Sequence, residues 1–241
     1  MIDGVKVVVV VPARDEAPWI QQVMATMPAA VDVVVVVDDG SLDGTGELAA
    51  AAAGGAAVEV RRHPLPRGVG AAIVSGYQRA LELEADVVVV MAGDGQMDPR
   101  DLPALVRPVA AHRCDYAKGN RLGHPEAWRL MPRRRLAGTA ALGWLTSLAA
   151  GVRVGDSQCG YTAVSARALE AIDLDTLWPG YGYPNDLIGA LAAAGMAIED
   201  VPVRPVYRGE KSGLRPWHAL TISWLVARVA YRRWLRRWLG R

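Results

Sequence analysis

The 241-residue sequence contains no phenylalanine and only two cysteines. It also has no uninterrupted apolar run of the roughly 18 residues that a membrane-spanning helix needs. Cys114 and Cys159 stand far apart and lack the spacing of metal ligands, which argues against a zinc module and a disulfide framework and fits a reducing compartment. The apolar run Val7 to Val11 has no basic segment before it and is too short for a secretion signal, so it reads as a strand and the expected location is cytoplasmic. The missing phenylalanine, beside abundant alanine, valine and arginine, is a matter of composition rather than function. A formal charge of +2 argues against a general nucleic-acid surface. No G-x-G-x-x-G follows the first strand, which disfavours a dinucleotide-dependent dehydrogenase, and no G-x-S-x-G elbow supports a Ser-His hydrolase.

What is present is a regular alternation. Valine-rich runs at 5–11, 31–37, 58–61 and 86–91 read as strands. Alanine-rich stretches at 17–27, 44–53, 68–83 and 101–110 read as helices between them, the pattern of a doubly wound parallel sheet. Continuous rather than alternating valines indicate strands covered on both faces. Further on, helices are expected at 132–150, 166–171 and 185–195, with strands at 162–164 and 197–206. The segment Trp178-Pro179-Gly180-Tyr181-Gly182-Tyr183-Pro184 reads as a loop, and a last helix is expected from Pro216 onward.

Two of the strands end in acid. Val33 to Val37 runs into Asp38-Asp39-Gly40-Ser41, and Val87 to Val90 into Met91-Ala92-Gly93-Asp94-Gly95-Gln96. Carboxyl ends of strands are where open α/β sheets bind ligands. A carboxylate there, between glycines that permit close approach, suits a divalent cation bridging to a phosphate. The expected ligand is a metal-bound sugar nucleotide. Asp94 and Gln96 are the expected donors to Mg²⁺ or Mn²⁺, the alternative for Asp94 being a turn cap. Asp98, before Pro99, reads as a helix start. Of the adjacent pair, Asp39 is expected to reach the base or ribose and Asp38 to brace the loop. Arg14 and Glu16 follow the first strand on the same edge and can reach a nucleotide, although either alone could be a surface charge. Gly68-Val69-Gly70 resembles a phosphate turn only weakly.

Taken in order, Val10-Val11-Pro12-Ala13-Arg14-Asp15-Glu16, Asp38 to Thr45 and Gly93-Asp94-Gly95-Gln96 resemble the family 2 glycosyltransferases, which have the GT-A fold. Lys118-Gly119-Asn120-Arg121-Leu122, Asp156 to Tyr161 and Tyr207 to Ser212 extend the resemblance over roughly residues 5–215 and point to the branch of dolichyl- and polyprenyl-phosphate sugar synthases. The resemblance implies a nucleotide pocket lined by Pro12, Arg14, Glu16, Val37 and Asp39. It implies a metal and diphosphate site at Asp94 and Gln96, with Arg121, Arg208 and Lys211 on sugar or phosphate groups. It also implies single displacement of the nucleoside diphosphate with inversion at the anomeric carbon. Two departures stand out. Ala92 occupies a position where the family often has a second aspartate, and Arg14-Asp15 replaces its usual aromatic-Asn pair.

Acceptor chemistry decides whether a base is needed. A lipid phosphate, with a second pKa of about 6, is already anionic near neutrality, whereas a hydroxyl must lose a proton. Asp186 lies where the family often carries a catalytic carboxylate; the alternative is an ordinary acid at a helix start. In the arginine run Arg133-Arg134-Arg135 a solvated helix face competes with a headgroup contact.

The last fourteen residues hold six arginines and no acid. On a helix, Tyr231, Trp234, Leu235, Trp238 and Leu239 gather on one side and most arginines on the other. That arrangement suits an anchor on an anionic membrane surface, facing the cytoplasm, and alternatively a helix packed on the domain or a second subunit. The expected organisation is a GT-A domain over 1–215 and a basic amphipathic helix over 216–241. The leading functional expectation is a metal-dependent, inverting transferase acting on polyprenyl phosphate. Transfer to a soluble hydroxyl acceptor, or a nucleotide-sugar binder weakened by Ala92, are the alternatives.

Overall fold

The computed structural model describes residues 2–52, 55–207 and 216–238, without the side chains of 216–219 and 237. Arg208, Lys211 and Leu239, singled out above, lie outside the described residues. The chain alternates β1 (Val7–Ala13), α1 (Ala17–Ala25), β2 (Val33–Asp38), α2 (Thr45–Ala51), β3 (Ala57–Arg62), α3 (Val69–Glu82), β4 (Val87–Val90) and α4 (Leu102–Ala110). Then follow β5 (Tyr116–Asn120), the short α5 (Ala127–Leu130), α6 (Arg133–Ala150), β6 (Thr162–Ser165), α7 (Ala166–Glu170), α8 (Tyr183–Ala193), β7 (Ile198–Pro202) and α9 (Pro216–Trp238).

The strands form one seven-stranded sheet in the order β3-β2-β1-β4-β6-β5-β7. Only the pairings of β6, with β4 and with β5, are antiparallel; the other pairings are parallel. The chain leaves β1 toward β2 on one side and returns on the other as β4, so a switch point falls between β1 and β4 at their carboxyl ends. Asp94 and Gln96 follow β4 at that edge.

The valine runs explain the two-sided core. Val7, Val9 and Val11 pack with Ile20, Leu102 and Leu105 on one face. Val8 and Val10 pack with Ile73, Tyr77, Leu187 and Val229 on the other. The valine strands β1, β2 and β4 therefore bury both faces, as unbroken β-branched runs require, while the edge strand β3 stays partly exposed.

Three local expectations change. Sequence reading assigned no strand to 116–120; β5 is Tyr-Ala-Lys-Gly-Asn, without β-branched residues, and its pairing with β6 and β7 supplies what propensity does not. α8 begins at Tyr183 rather than 185, because Pro184 falls in the first turn, where its missing N–H costs nothing, and Gly182 (φ 95°) turns the chain into it. β7 is shorter than the run 197–206.

α9 packs against α6 and α8. It buries Ile222, Leu225 and Val229 and leaves Trp224, Tyr231, Trp234 and Trp238 more than half exposed. At 100° per residue those aromatics lie opposite the buried trio. The arginines turn toward the domain: Arg233 donates to the Leu148 carbonyl at 2.9 Å, Arg236 to the Ala193 carbonyl, and Arg228 to the Thr176 carbonyl. Arg233 and Arg236 thus cap the carboxyl ends of α6 and α8, and Arg228 that of the short 3-10 helix at Leu174–Thr176, where a cation is favoured. The sequence expectation of arginines held out for lipid is corrected for these three.

Candidate active site

The loops at the carboxyl edge of β1 and β2 are laced together by short polar side chains. Asp15 N–H donates to Ser41 Oγ at 3.0 Å, Leu42 N–H to Asp15 Oδ1 at 3.0 Å, and Ala17 N–H to Asp43 Oδ2 at 2.9 Å. Asp38 is buried and takes the Ser41 N–H at 2.8 Å. Asp39, only 4% exposed, accepts the N–H groups of Arg67 and Gly68 at 2.8 Å each and pairs with His63 Nδ1 at 2.7 Å. Burial would raise this carboxyl, but the two backbone donors and His63 hold it below the ordinary range. Both aspartates therefore brace loops, where sequence reading reserved Asp39 for the ligand. Arg14 is half-exposed beside Asp15 and Glu16 half-buried at the start of α1. The Val37 side chain is fully enclosed in the core and Pro12 is buried beside it in register, so what Val37 can offer a nucleotide is backbone.

Beside this edge lies a cavity of about 330 Å³ whose lining includes Asp94, Gln96, Arg121, Arg135, Tyr181 and Arg204. Asp94 sits in a tight turn in which one oxygen accepts the Gln96 N–H at 2.9 Å. Among the described residues, no group of three His, Cys, Asp or Glu side chains is placed to hold a metal. One carboxylate and one amide oxygen still fit Mg²⁺ or Mn²⁺, which keep waters and take substrate phosphate oxygens. Asp98 caps the turn at 99–101 through the Arg100 N–H at 3.0 Å, in keeping with its reading as a helix start.

Arg121 is held from behind. Its Nε and Nη2 meet Asp156 at 2.7 and 3.1 Å, and Asp156, fully buried, also accepts the N–H groups of Gln158 and Cys159. Burial alone would raise the Asp156 carboxyl; Arg121 and Lys118 bring it below the usual range. Lys118, fully buried on β5, donates to the Cys159 carbonyl, and its enclosure depresses its pKa. Arg135 stacks over Tyr207 at 4.9 Å, and Arg204 lies 3.5 Å from Glu126. Three guanidinium groups from three elements thus line one cavity, a setting for phosphate oxygens. Sequence reading found Arg121 through a motif and raised the run 133–135 without choosing a residue; it missed Arg204, whose only signal is its place after β7.

Asp186 is not in this cavity. Its side chain is fully buried on α8 and accepts the Trp178 N–H at 3.0 Å, with Arg228 and Arg232 of α9 each 3.6 Å from its oxygens. It lines a separate space of about 710 Å³ beneath α9. The general-base role expected from sequence is corrected accordingly: α8 offers the crevice its first turn, Tyr183 and Pro184, and turns Asp186 to the far side.

Comparison with known proteins gives the family and the fold. Residues 8–168 match the model of "Glycosyl transferase family 2". The chain is 31% identical to an undecaprenyl-phosphate mannosyltransferase of Micrococcus luteus over 84% of each chain. It is 32% identical to a polyprenol monophosphomannose synthase of Mycolicibacterium smegmatis, over 82% of this chain and 76% of that one. Among solved structures, a glucosyl-3-phosphoglycerate synthase of Mycobacterium tuberculosis, in complex with Mn²⁺, UDP and glucosyl-3-phosphoglycerate, superposes with a TM-score of 0.64 at 24% identity, covering 95% of this chain and 80% of that one. With a sheet switching at β1 and β4, an acid after β4 and these relatives, the chain belongs to glycosyltransferase family 2, is a glycosyltransferase of GT-A fold, and resembles the polyprenyl-phosphate sugar synthases.

Proposed function

We propose that the protein moves a sugar from a nucleoside-diphosphate sugar to the phosphate of a polyprenyl carrier, with inversion, at a membrane surface. The observation that carries this reading is the crevice lining: Arg121, Arg135 and Arg204 converge there, and Asp94 is the one carboxylate among its described lining residues. Such a site neutralises phosphate and offers no second acid to deprotonate a hydroxyl. A phosphate acceptor needs none, since it is already anionic near neutrality.

In this reading the acceptor phosphate oxygen bonds to the anomeric carbon as the carbon–oxygen bond to the diphosphate breaks, and the departing diphosphate keeps the electron pair. The arginines face the charge that develops on it, the electrostatic contribution that dominates such transfers. Pro12, Arg14, Glu16 and Asp39 belong to the adjoining nucleotide side, where Asp39 shapes the loop and Arg14 and Glu16 are accessible. Arg208 and Lys211 complete the phosphate-binding set. Asp94 and Gln96 hold Mg²⁺ or Mn²⁺, which when bound supplies further positive charge to the diphosphate. The neighbouring synthase that binds Mn²⁺ and UDP has the same fold, which supports this assignment.

Among the described residues no helix is long and apolar enough to cross a membrane. Attachment at the inner face of the cell membrane rests instead on the outward aromatic side of α9, beside α6 with its exposed Trp144 and Leu148.

The test is transfer of labelled sugar from UDP-, GDP- and dTDP-sugars, with and without Mn²⁺, into an organic phase containing polyprenyl phosphate. Expected is transfer from one donor class, abolished in Asp94→Ala. Transfer only to a soluble hydroxyl acceptor, or donor binding without any turnover, overturns the proposal.

A further inference from the structure

We infer that Asp186 is a positioning residue that ties the acceptor-side wall of the crevice to α9, so that the seating of the outer helix sets how the acceptor is received. The inference rests on the functional reading above for its acceptor, and on the geometry for its mechanics.

Residues 181–184 line the crevice, and the segment that leads into them is held from two sides. On the inner side, Ala71 at the start of α3 donates its N–H to the Pro179 carbonyl at 3.0 Å. The fit is close, since a Cβ on Gly70 would stand 2.2 Å from the Trp178 carbonyl oxygen. On the outer side lies α9: Trp224 meets Trp178 edge-on at 5.6 Å, and a Cβ on Gly182 would stand 2.8 Å from Leu225 Cδ1.

Asp186 joins the two sides. One oxygen accepts the Trp178 N–H and lies 3.6 Å from Arg228; the other has no hydrogen bond and lies 3.6 Å from Arg232. A fully buried carboxylate must be compensated. Here the cations come from α9, while the backbone that the carboxylate fixes belongs to the loop. Arg228 reaches past it to the Thr176 carbonyl, two residues before Trp178. A displacement of α9, whose outer face carries the exposed Tyr231, Trp234 and Trp238 and touches the loop through Trp224, therefore moves the charges that keep the loop in place. A general base would have to face the crevice; this carboxylate faces the helix.

Three proteins test this: Asp186→Asn, the double variant Arg228→Gln/Arg232→Gln, and the two combined. Steady-state transfer to polyprenyl phosphate in vesicles is measured across pH, beside hydrolysis of the donor and hydrogen exchange. Expected for each is an acceptor KM raised on the order of fivefold, kcat within about twofold, an unchanged pH profile and unchanged donor hydrolysis. The combined variant should be no worse than the more impaired of its parents, because both act through one link. Amide exchange should rise over 178–184 and stay unchanged over 38–45. A kcat loss on the order of 10² or more with a vanished acidic limb would establish a base and overturn the inference. Additive losses, or unchanged exchange over 178–184 in the arginine variant, overturn it as well. If the wild type fails to glycosylate polyprenyl phosphate at all, the functional reading falls, while the exchange arm still decides the link between α9 and the loop.

Discussion

Two loops at the same edge of the sheet are built on opposite principles. Residues 38–45 staple themselves and their neighbour at 13–17 through Asp15, Asp38, Ser41, Asp43 and Thr45, with partners at most 29 residues away. Residues 178–184 contain no charged side chain; beside the Trp178 Nε1–H bond to the Tyr181 carbonyl and the Trp178 N–H bond to Asp186, they are fixed by α3 more than 100 positions earlier and by α9 more than 40 later. The first loop is held by chain no more than 29 residues away, His63, Arg67 and Gly68 on Asp39 included. The second has the shape its neighbours impose, and so can report on them.

The largest expected effect is on the self-stapled side. Asp39→Ala leaves the buried His63 and two partly buried backbone N–H groups without their carboxylate, and with about 1–3 kcal/mol for each group that water does not reach a loss of about 2 kcal/mol or more is expected in denaturant unfolding; a loss under about 1 kcal/mol would mean that water replaces the carboxylate. Next comes Gly70→Ala, whose new methyl group meets the Trp178 backbone. Overpacking against main chain costs about 1–3 kcal/mol, and here it should also perturb Tyr181 fluorescence or acceptor binding while leaving donor binding intact. Equal damage to both ligands would break the comparison.

The acid limb of stability comes third. The Asp39 carboxyl is held below its unfolded value, so the folded state binds fewer protons than the unfolded state between the two. Its contribution is complete above the unfolded pKa of about 4 and is lost as pH falls through the folded one. Asp39→Asn should therefore flatten the fall in melting temperature below about pH 4. An unchanged acid limb would place the titrating group elsewhere. Smallest is Gly138→Ala on the exposed side of α6, where a Cβ meets nothing within 4 Å. It should raise stability by about 0.5–1 kcal/mol without touching either loop.

The same contrast explains what could be read in advance. The alternation of valine runs and helices, the acids after β2 and β4 and the wall residue Arg121 follow from local pattern and motif. Asp38 and Asp43 look like loop braces from their immediate neighbours. The bracing by Asp39 is not legible locally, because two of its donors, Arg67 and Gly68, sit nearly thirty residues downstream. The direction of Asp186, left open between a base and an ordinary helix-start acid, is not legible because its partners are on α9, and a helix start looks the same whichever way its acid faces. β5 was missed because its stability is borrowed from two neighbours. The tail showed an aromatic side and a basic side correctly, but a sequence does not say which side meets the domain. Three helix carboxyl ends decided that.

The scarcity of cysteine leaves the protein with a built-in pair of chemical clocks. Both thiols are buried, and burial raises both, to about 11 for Cys114, so neither reacts readily in the folded chain. Both belong to the core that includes α4, but Cys159 also forms part of the crevice wall behind Arg121. A thiol reagent therefore times two different openings of one unmodified polypeptide: slow breathing of the core at the first, and exposure of the wall at the second. A ligand seated in the crevice would slow the second clock and leave the first running.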